Sequence, residues 1–414
     1  MGARSRPRPF IPPEPLIFGQ FALLFSWLAL FFAGAHREFG LSPIAFAWIH
    51  AVVLGWLTTT ALAFLIHVLP GFTDVPWRFE RLARAALWFY QLGVVVLLVG
   101  FTLWKPVWLT VGGAIIVASI ALFLVPFLAT IAEAVRQPDR PTRAVARALA
   151  IVVGFFALTV LLGFSLSIGL NQGQAFVWHW AGVHGMLGIV GWLSLLVAGV
   201  SMRTYNRLIG QSDRRLAHIT ISALALAGLA IWIVGAATGP VALQASGAIL
   251  IIIGAALHVG TTLNALRSAS SRHRLPREFI FASALWLAVA VAYGAVDLFG
   301  GAYILPLFFV VLVGWIGQNV NAHLMHVGIR LMATLLIADD DETPPALLLD
   351  LRVGVASLIL NQLAVACGAI GLTIFEGRLL EAAAIFGIFG FAAMAFNVVI
   401  ATKAAVIIRR QLYG

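Results

Sequence analysis

Histidines inside long apolar segments are the residues of this sequence with the clearest capacity for chemistry. A polar ring nitrogen is costly in hydrocarbon, so an intramembrane histidine indicates a functional site unless a neighbouring group satisfies it. Imidazole is a common axial ligand of haem iron and also binds copper. Seven of the ten histidines fall in such segments: His50, His67, His179, His184, His258, His323 and His326.

These histidines have both a ligand interpretation and a structural one. A single intramembrane histidine can also serve as a hydrogen-bonding residue between packed helices or as an interfacial side chain. Seven of them on four segments favour at least one bound haem, with copper as a further candidate metal. The candidate cofactor-binding residues are all seven, and the candidate direct metal ligands are His50, His184, His323 and His326.

Their depths predict two levels of histidine. With a helical rise of ~1.5 Å per residue, one group lies near the outer face (His50, His179, His184) and the other near the inner face (His67, His258, His323, His326). We expect the inner four to converge on one site, because unbonded imidazoles facing lipid are unfavourable. His323 and His326 share one helix face, with Asn319 one turn earlier. His179 and His184 diverge by about 140° and should have different surroundings.

Composition fixes the class of protein that holds these residues. Hydrophobic residues make up 62% of the 414-residue chain and charged residues 10%, and the mean hydropathy is +1.01. These values indicate an all-α polytopic membrane protein, and we predict one transmembrane domain over residues 1–414. Apolar windows of about 20 residues predict twelve helices near 16–34, 43–69, 84–103, 107–132, 146–170, 176–202, 216–236, 241–264, 279–297, 302–329, 352–372 and 379–405.

A short signature recurs on the second, sixth and tenth of these segments. It reads Gly55-Trp56-Leu57, Gly191-Trp192-Leu193 and Gly314-Trp315-Ile316. A repeat at this spacing predicts three four-helix units arranged in arcs. We expect each glycine to let a neighbouring helix approach closely, and the tryptophans to pack at equivalent positions.

The basic residues predict the orientation of the bundle. Arginines and lysines concentrate at the N-terminus, at the C-terminus and in the loops after even-numbered segments, whereas the loops after odd segments hold little more than Arg37, Lys105 and Arg378. Both termini are therefore expected in the cytoplasm, as in a multi-pass protein of a bacterial-type inner membrane. The net charge of +10 is explained by these loops beside anionic lipid, so we expect membrane lipid and no nucleic acid as a partner. The acidic run from Asp339 to Glu342 is expected in a solvated loop.

Several function classes are disfavoured by residues that the sequence lacks. Cys367 is the only cysteine, which excludes an internal disulfide, covalent haem attachment through two cysteines and a protein-borne iron–sulfur cluster. No Asp or Glu falls near the middle of a predicted helix, which argues against proton pumping and proton-coupled transport. The sequence contains no phosphate loop or nucleotide fingerprint, which argues against an ATP-driven pump.

At this point the pattern resembles the catalytic subunit of haem–copper oxidases and nitric oxide reductases, and the related NnrS-type haem- and copper-containing proteins. The closest local likenesses are His50-Ala-Val-Val-Leu-Gly-Trp-Leu and His184-Gly-Met-Leu-Gly-Ile-Val-Gly-Trp-Leu. The resemblance implies a haem b, with His50 in the place of the low-spin haem ligand. The chain departs from the oxidases on helix six (VWHWAGVHGML), on helix seven, which has only the terminal His218, and on helix ten, where the spacing is His-x-x-His. These departures leave the oxidase copper centre unsupported.

The sequence therefore predicts a haem-binding membrane protein of this superfamily, a candidate oxidoreductase. It would act in electron transfer or in binding nitric oxide or oxygen, with a quinol or a cytochrome as electron donor. Oxygen reduction to water at an oxidase rate is not expected. The competing interpretation is a membrane transporter, or a metal or haem assembly factor, in which the histidines are transient ligands.

Overall fold

The computed structural model describes residues 13–38, 40–137, 140–208, 215–267, 274–301, 303–329 and 348–413. This part of the chain is helical and contains no β-strand. Twelve of its helices are long and apolar enough to cross a membrane, which confirms the all-α polytopic class. The acidic run from Asp339 to Glu342 and the N-terminal arginines lie outside the described residues.

The twelve membrane helices coincide with the twelve predicted segments. We label them in chain order: α1 Glu14–Ala35, α2 Pro43–Thr73, α3 Glu80–Thr102, α4 Pro106–Arg136, α5 Thr142–Asn171, α6 Phe176–Ser201, α7 Ala217–Thr238, α8 Val241–Arg267, α9 Arg274–Asp297, α10 Ile304–Gly328, α11 Leu351–Ile374 and α12 Gly377–Ile408. The helix that contains α6 continues to Leu208.

Side chains at the helix starts explain some of these boundaries. Ser42 precedes α2, and its hydroxyl accepts a hydrogen bond from the Ala45 amide at 3.2 Å. Asp350 precedes α11, and its carboxylate accepts from the amides of Arg352 and Val353 at 2.8 and 3.0 Å. Both residues satisfy amide groups that have no partner within the first turn of a helix.

The chain divides into two compact units. The first comprises Met1–Ala22 and Val53–His184, and the second comprises Leu23–Val52 and Gly185–Gly414. The first unit thus holds α3, α4 and α5 with most of α2, and the second holds α7 to α12 with most of α6. The single transmembrane domain over residues 1–414 stays a prediction, and so does the arrangement of the three four-helix units in arcs.

Within the first unit, α3 and α4 pack closely at three glycines. A Cβ added to Gly100 would lie 2.8 Å from the Leu109 amide nitrogen, and one added to Gly112 would lie 2.6 Å from the Leu97 amide nitrogen. A Cβ on Gly93 would lie 3.0 Å from the amide nitrogen of Ile116. Such backbone-to-backbone approach is how small residues stabilise helix pairs in membranes.

The same three positions recur in the second unit, in the pair α7 and α8. Gly228, Gly235 and Gly247 have the spacing of Gly93, Gly100 and Gly112. A Cβ on Gly235 would lie 2.6 Å from the Gln244 amide nitrogen, nine residues on, as the Leu109 amide lies nine residues after Gly100. The packing of these two helix pairs is therefore a true structural repeat.

The pair α11 and α12 carries a third copy of this spacing. Ala364, Gly371 and Ala383 stand at the corresponding positions, and both alanines are completely buried. A Cβ on Gly371 would lie 3.0 Å from side-chain atoms of Leu380, again nine residues on. The last two helices of each predicted four-helix unit thus repeat a pattern of small residues that the Gly-Trp signature did not include.

Candidate functional site

The Gly-Trp signature lies in an eight-residue π-helical segment on each of three helices. These segments are Ala51–Thr58 in α2, Leu187–Ser194 in α6 and Val310–Gly317 in α10. The glycine and the tryptophan occupy the fifth and sixth residues of each one. A fourth segment, Leu324–Gly328, follows in α10. Since π-helical turns are rare and cluster at functional sites, these segments direct attention to the side chains around them.

Hydroxyl groups bond the carbonyls of the π-helical segments. In α2 the Leu54 carbonyl accepts from Thr59 Oγ1 at 2.9 Å and from the Tyr90 hydroxyl of α3 at 3.0 Å. In α6 the Ile189 carbonyl accepts from Ser194 Oγ at 2.7 Å. Thr59 and Ser194 each reach back five residues, which is the spacing of a π-turn. These bonds stabilise backbone geometry that would otherwise leave polar groups unsatisfied in lipid.

Two of the signature glycines lie against a neighbouring helix, as predicted. A Cβ on Gly55 would lie 2.5 Å from the Ala22 Cβ of α1, and a Cβ on Gly314 would lie 2.8 Å from the Trp286 Cβ of α9. Trp56, Trp192 and Trp315 are all buried. The equivalent packing of the three tryptophans is therefore supported by their burial and by their identical places in the π-segments.

His50 ends the regular part of α2 immediately before its π-helical segment. Its Nδ1 lies 2.8 Å from the Phe46 carbonyl oxygen one turn earlier. A carbonyl oxygen only accepts, so Nδ1 carries the proton and the lone pair is on Nε2. A histidine that ligates a metal commonly has this arrangement, with the second nitrogen donating to a backbone carbonyl.

His184 also bonds a carbonyl through Nδ1, which donates to Thr159 of α5 at 3.1 Å. Its ring lies against that helix, because a Cβ on Gly163 would lie 2.7 Å from the His184 Cε1. His179 is exposed, and its ring meets the edge of Trp180 at 5.5 Å between centroids. The two histidines therefore have different surroundings, as their spacing predicted.

Both ring nitrogens of His323 have protein partners. Nδ1 donates to the Asn319 carbonyl at 2.7 Å, and Nε2 lies 2.8 Å from Thr204 Oγ1. Since Nδ1 of the neutral ring donates to the carbonyl, Nε2 can only accept, and the one proton of the Thr204 hydroxyl is shared between Nε2 and the Val200 carbonyl 3.0 Å away. His323 is thus held as a bonding residue between α10 and the end of the helix that contains α6.

Asn319 is the centre of a buried polar network in the second unit. Its Oδ1 accepts from the Tyr205 hydroxyl at 2.7 Å, and its Nδ2 donates to Ser283 Oγ at 2.9 Å and to the Trp315 carbonyl at 3.1 Å. A second network of hydrogen bonds lies nearby in sequence. Trp286 Nε1 donates to Gln362 Oε1 at 2.7 Å, and Gln362 Nε2 donates to Gln318 Oε1 at 3.3 Å. Gln318 and Asn319 of α10 therefore join helices, which is the structural interpretation of such residues.

His258 lies between two other rings. Its centroid is 6.4 Å from that of His218 on α7 and 5.8 Å from that of Trp315 on α10. All three residues are buried. His218 is the second residue of α7, as its place at the end of the apolar segment predicted, and is only 5% exposed. The only sequence signal for it was its place one residue inside an apolar run.

His67 and His326 occupy corresponding places twelve residues after Gly55 and Gly314. His67 is half-buried, and its Nδ1 is buried without a hydrogen-bond partner in the described part of the chain. His326 is buried within the second π-helical segment of α10. Convergence of His67, His258, His323 and His326 on one site stays a prediction.

Metal-binding chemistry in the described residues is limited to one or two histidines per location. Within that part of the chain, no three side chains of the types His, Cys, Asp and Glu form a group that could hold a metal ion. A haem needs only one or two axial imidazoles, whereas a copper centre of the oxidase kind needs more. His50 and His184 both have Nδ1 bonded to a backbone carbonyl, which places the lone pair of a neutral ring on Nε2.

Comparison with known proteins gives no relative from which a function could be carried over. No protein-family model matches the chain, and a search of curated proteins finds no match. The function must therefore be argued from the residues themselves.

Proposed function

We propose that this chain is a haem-b-binding integral membrane protein related to the haem–copper oxidase superfamily. It would act in electron transfer, or in binding a diatomic molecule such as nitric oxide or oxygen, in a bacterial-type inner membrane. The twelve membrane helices and the threefold repeat of Gly-Trp segments and small-residue positions support the relationship.

The observation that carries the proposal is the hydrogen bond from His50 Nδ1 to the Phe46 carbonyl. It fixes the tautomer in which Nε2 is the metal-binding atom, and it limits rotation of the ring. The bond uses a backbone group of the same helix, so the orientation does not depend on a neighbouring side chain. A hydrogen bond from the second ring nitrogen to a carbonyl raises ligand basicity and positions the ring.

The other anchored histidines fit an axial role less well. Thr204 occupies the Nε2 side of His323, and the ring of His184 lies against the backbone of α5 at Gly163. His258 packs between the rings of His218 and Trp315. His50 is therefore the residue we assign to haem.

A haem bound at His50 would supply the redox-active or gas-binding iron. His50 would provide Nε2, and the Phe46 carbonyl would hold the proton on Nδ1. A second axial histidine would favour electron transfer, whereas an open sixth position would allow a diatomic ligand to bind. The electrons would come from a quinol or a cytochrome. Copper would be measured on the same purified protein.

The test is the haem content and absorption spectrum of the full chain purified in detergent. We expect a Soret band in the native protein and loss of most of it in His50→Ala. The matched control is His36→Ala, because His36 is an exposed residue in the loop after α1. The spin state of the bound iron then distinguishes six-coordinate from five-coordinate haem.

Two results would contradict the proposal. An unchanged haem stoichiometry in a folded His50→Ala protein would remove His50 from the site. A colourless native preparation that also takes up no added haem would favour the competing function, a transporter or a metal or haem assembly factor.

A further inference from the structure

A small pocket lies within the second unit, beside His258. Its walls come from α6, α7, α8, α9 and α10, and its volume is about 60 Å³. Most of its lining is aliphatic, including Val190, Ile251 and Leu287. The pocket is not used by the proposed haem site.

Two residues of the pocket wall contain a ring nitrogen that is buried without a hydrogen-bond partner in the described part of the chain. The atoms are Nδ1 of His258 and Nε1 of Trp315. The two side chains are 3% and 7% exposed. A buried polar atom left without a partner costs about 1–3 kcal/mol, so two such atoms in residues of one pocket wall call for an explanation.

The size and polarity of the pocket restrict what that occupant can be. A single water needs roughly 10–15 Å³ of such volume and two to four polar partners. The pocket is several times larger, yet beyond the two ring nitrogens its polar lining is limited to Ser194 and Ser222. The Ser194 hydroxyl already donates to the Ile189 carbonyl. A cluster of waters would therefore be poorly bonded, and apolar cavities of protein interiors stay dry and bind small apolar molecules.

We propose that this pocket binds an uncharged molecule of two or three heavy atoms, with an apolar body and one end that accepts a hydrogen bond from the Trp315 indole. Dioxygen, nitric oxide and nitrous oxide have this chemistry. The aliphatic walls hold the body of the ligand, and the indole N–H and the His258 ring orient its polar end. A charged ligand is excluded, since no charged side chain lines the pocket.

The backbone explains how these two rings come to face the same space. Trp315 is the sixth residue of the π-helical segment of α10, where the helical register shifts. His258 packs against Trp315 on one side and against His218 on the other. Gly254 and Ala255, one turn before His258, keep the α8 wall small.

The first experiment uses nitrous oxide, which does not require a haem for its detection. Its infrared stretching band would be recorded in the purified full chain and in detergent alone. We expect an additional band in the protein that Ala255→Leu removes, because leucine would fill the pocket. The matched control is Ala256→Leu, since Ala256 is the exposed neighbour on the same helix and should leave the band unchanged.

A second variant tests the hydrogen bond from the Trp315 indole separately from the volume of the pocket. Trp315→Phe removes the N–H and keeps an aromatic ring, so the band should persist but shift toward its position in an apolar solvent. If Ala255→Leu fails to fold, Ala225→Leu fills the same pocket from α7.

Crystals of the native protein under xenon pressure give an independent answer. We expect xenon between His258 and Trp315. Only ordered water at this place, or a lipid or detergent chain, would overturn the proposal, as would a nitrous oxide band that persists in Ala255→Leu. None of these readouts depends on haem, so failure here and failure of the haem proposal are distinguishable.

Discussion

Helices α2 and α10 are alike around their Gly-Trp segments and differ in the side chains that follow. Both contain an eight-residue π-helical segment, a tryptophan whose Nε1 is buried without a partner among the described residues, and a histidine twelve residues after the glycine. After the segment, α2 continues with Thr59 and Thr60, whereas α10 continues with Gln318 and Asn319.

The difference teaches that backbone geometry and polar bonding are separate properties of these helices. In α2 the Thr59 hydroxyl bonds within the helix, to the Leu54 carbonyl. In α10 the amides bond to other helices, as Asn319 does to Tyr205 and Ser283. His50 has a phenylalanine, Phe309, at its place in α10. Helix α2 thus carries a histidine arranged like an axial ligand, whereas α10 carries side chains that hydrogen-bond to other helices.

The largest loss of stability is expected at the signature glycines, where α2 and α10 are most alike. Gly55→Val and Gly314→Val should each destabilise the protein by about 3 kcal/mol, because the added atoms collide with Ala22 and with Trp286. Reversible unfolding in mixed detergent micelles would measure both. Gly71→Ala and Gly328→Ala are the controls on the same helices, since a Cβ meets nothing within 4 Å at either position. A loss of stability at only one of the two signature glycines would show that α2 and α10 do not pack alike at this position.

The next largest loss of stability should appear only in α10. Asn319→Leu leaves the Tyr205 hydroxyl and the Ser283 hydroxyl without their asparagine partner, which should cost about 2 kcal/mol. Adding Tyr205→Phe should recover part of that loss, because no buried hydroxyl then remains unpaired at that end. Strictly additive losses in this double-mutant cycle would show that the two residues are not coupled.

A smaller effect is expected at the bond between Thr204 and His323. Thr204→Val removes the hydroxyl at nearly constant volume, and we expect a loss of about 1 kcal/mol. His323→Phe should lower stability by a similar amount, and it should not alter the haem content if His50 is the ligand. The corresponding residue of α2 is Phe64, which makes no such bond possible there. Loss of haem in a folded His323→Phe protein would transfer the ligand role to α10.

The smallest effect belongs to Thr60, which stands where α10 has Asn319. Its Oγ1 is buried without a partner in the described residues, so Thr60→Val should leave the stability unchanged or raise it by up to about 1 kcal/mol. The same unfolding measurement compares it directly with Asn319→Leu. A loss as large as that of Asn319→Leu would mean that Thr60 has a polar role in the native membrane.

Much of the fold was predictable because lipid imposes strong constraints on sequence. Each of the twelve apolar segments became a helix, since backbone groups in a membrane must be bonded within the segment. Gly55 and Gly314 were expected to contact a neighbouring helix, and they do. The repeat at Gly93, Gly228 and Ala364 was present in the sequence as well, but small residues are so common in membrane helices that only the contacts distinguish it.

The candidate site was less predictable from the same sequence. The histidines could be named, but which ones bond to protein groups depends on groups far away in the chain, such as the Thr204 hydroxyl for His323 and the Thr159 carbonyl for His184. His218 lies at the helix end where the sequence placed it, but its burial beside His258 was not predicted. Periodicity along one helix carries no information about which residues of another helix it meets.

Sequence by itself thus determined the class of this protein, its twelve membrane helices and the threefold Gly-Trp signature, because these follow from local composition and spacing. Tertiary structure decided the π-helical backbone at each signature and the partners of Asn319 and His323. It also decided that His258 and Trp315 face one pocket. The physical reason is that hydrophobicity acts on each segment separately, whereas hydrogen bonds and close packing inside a membrane exist only between helices that have already found their neighbours.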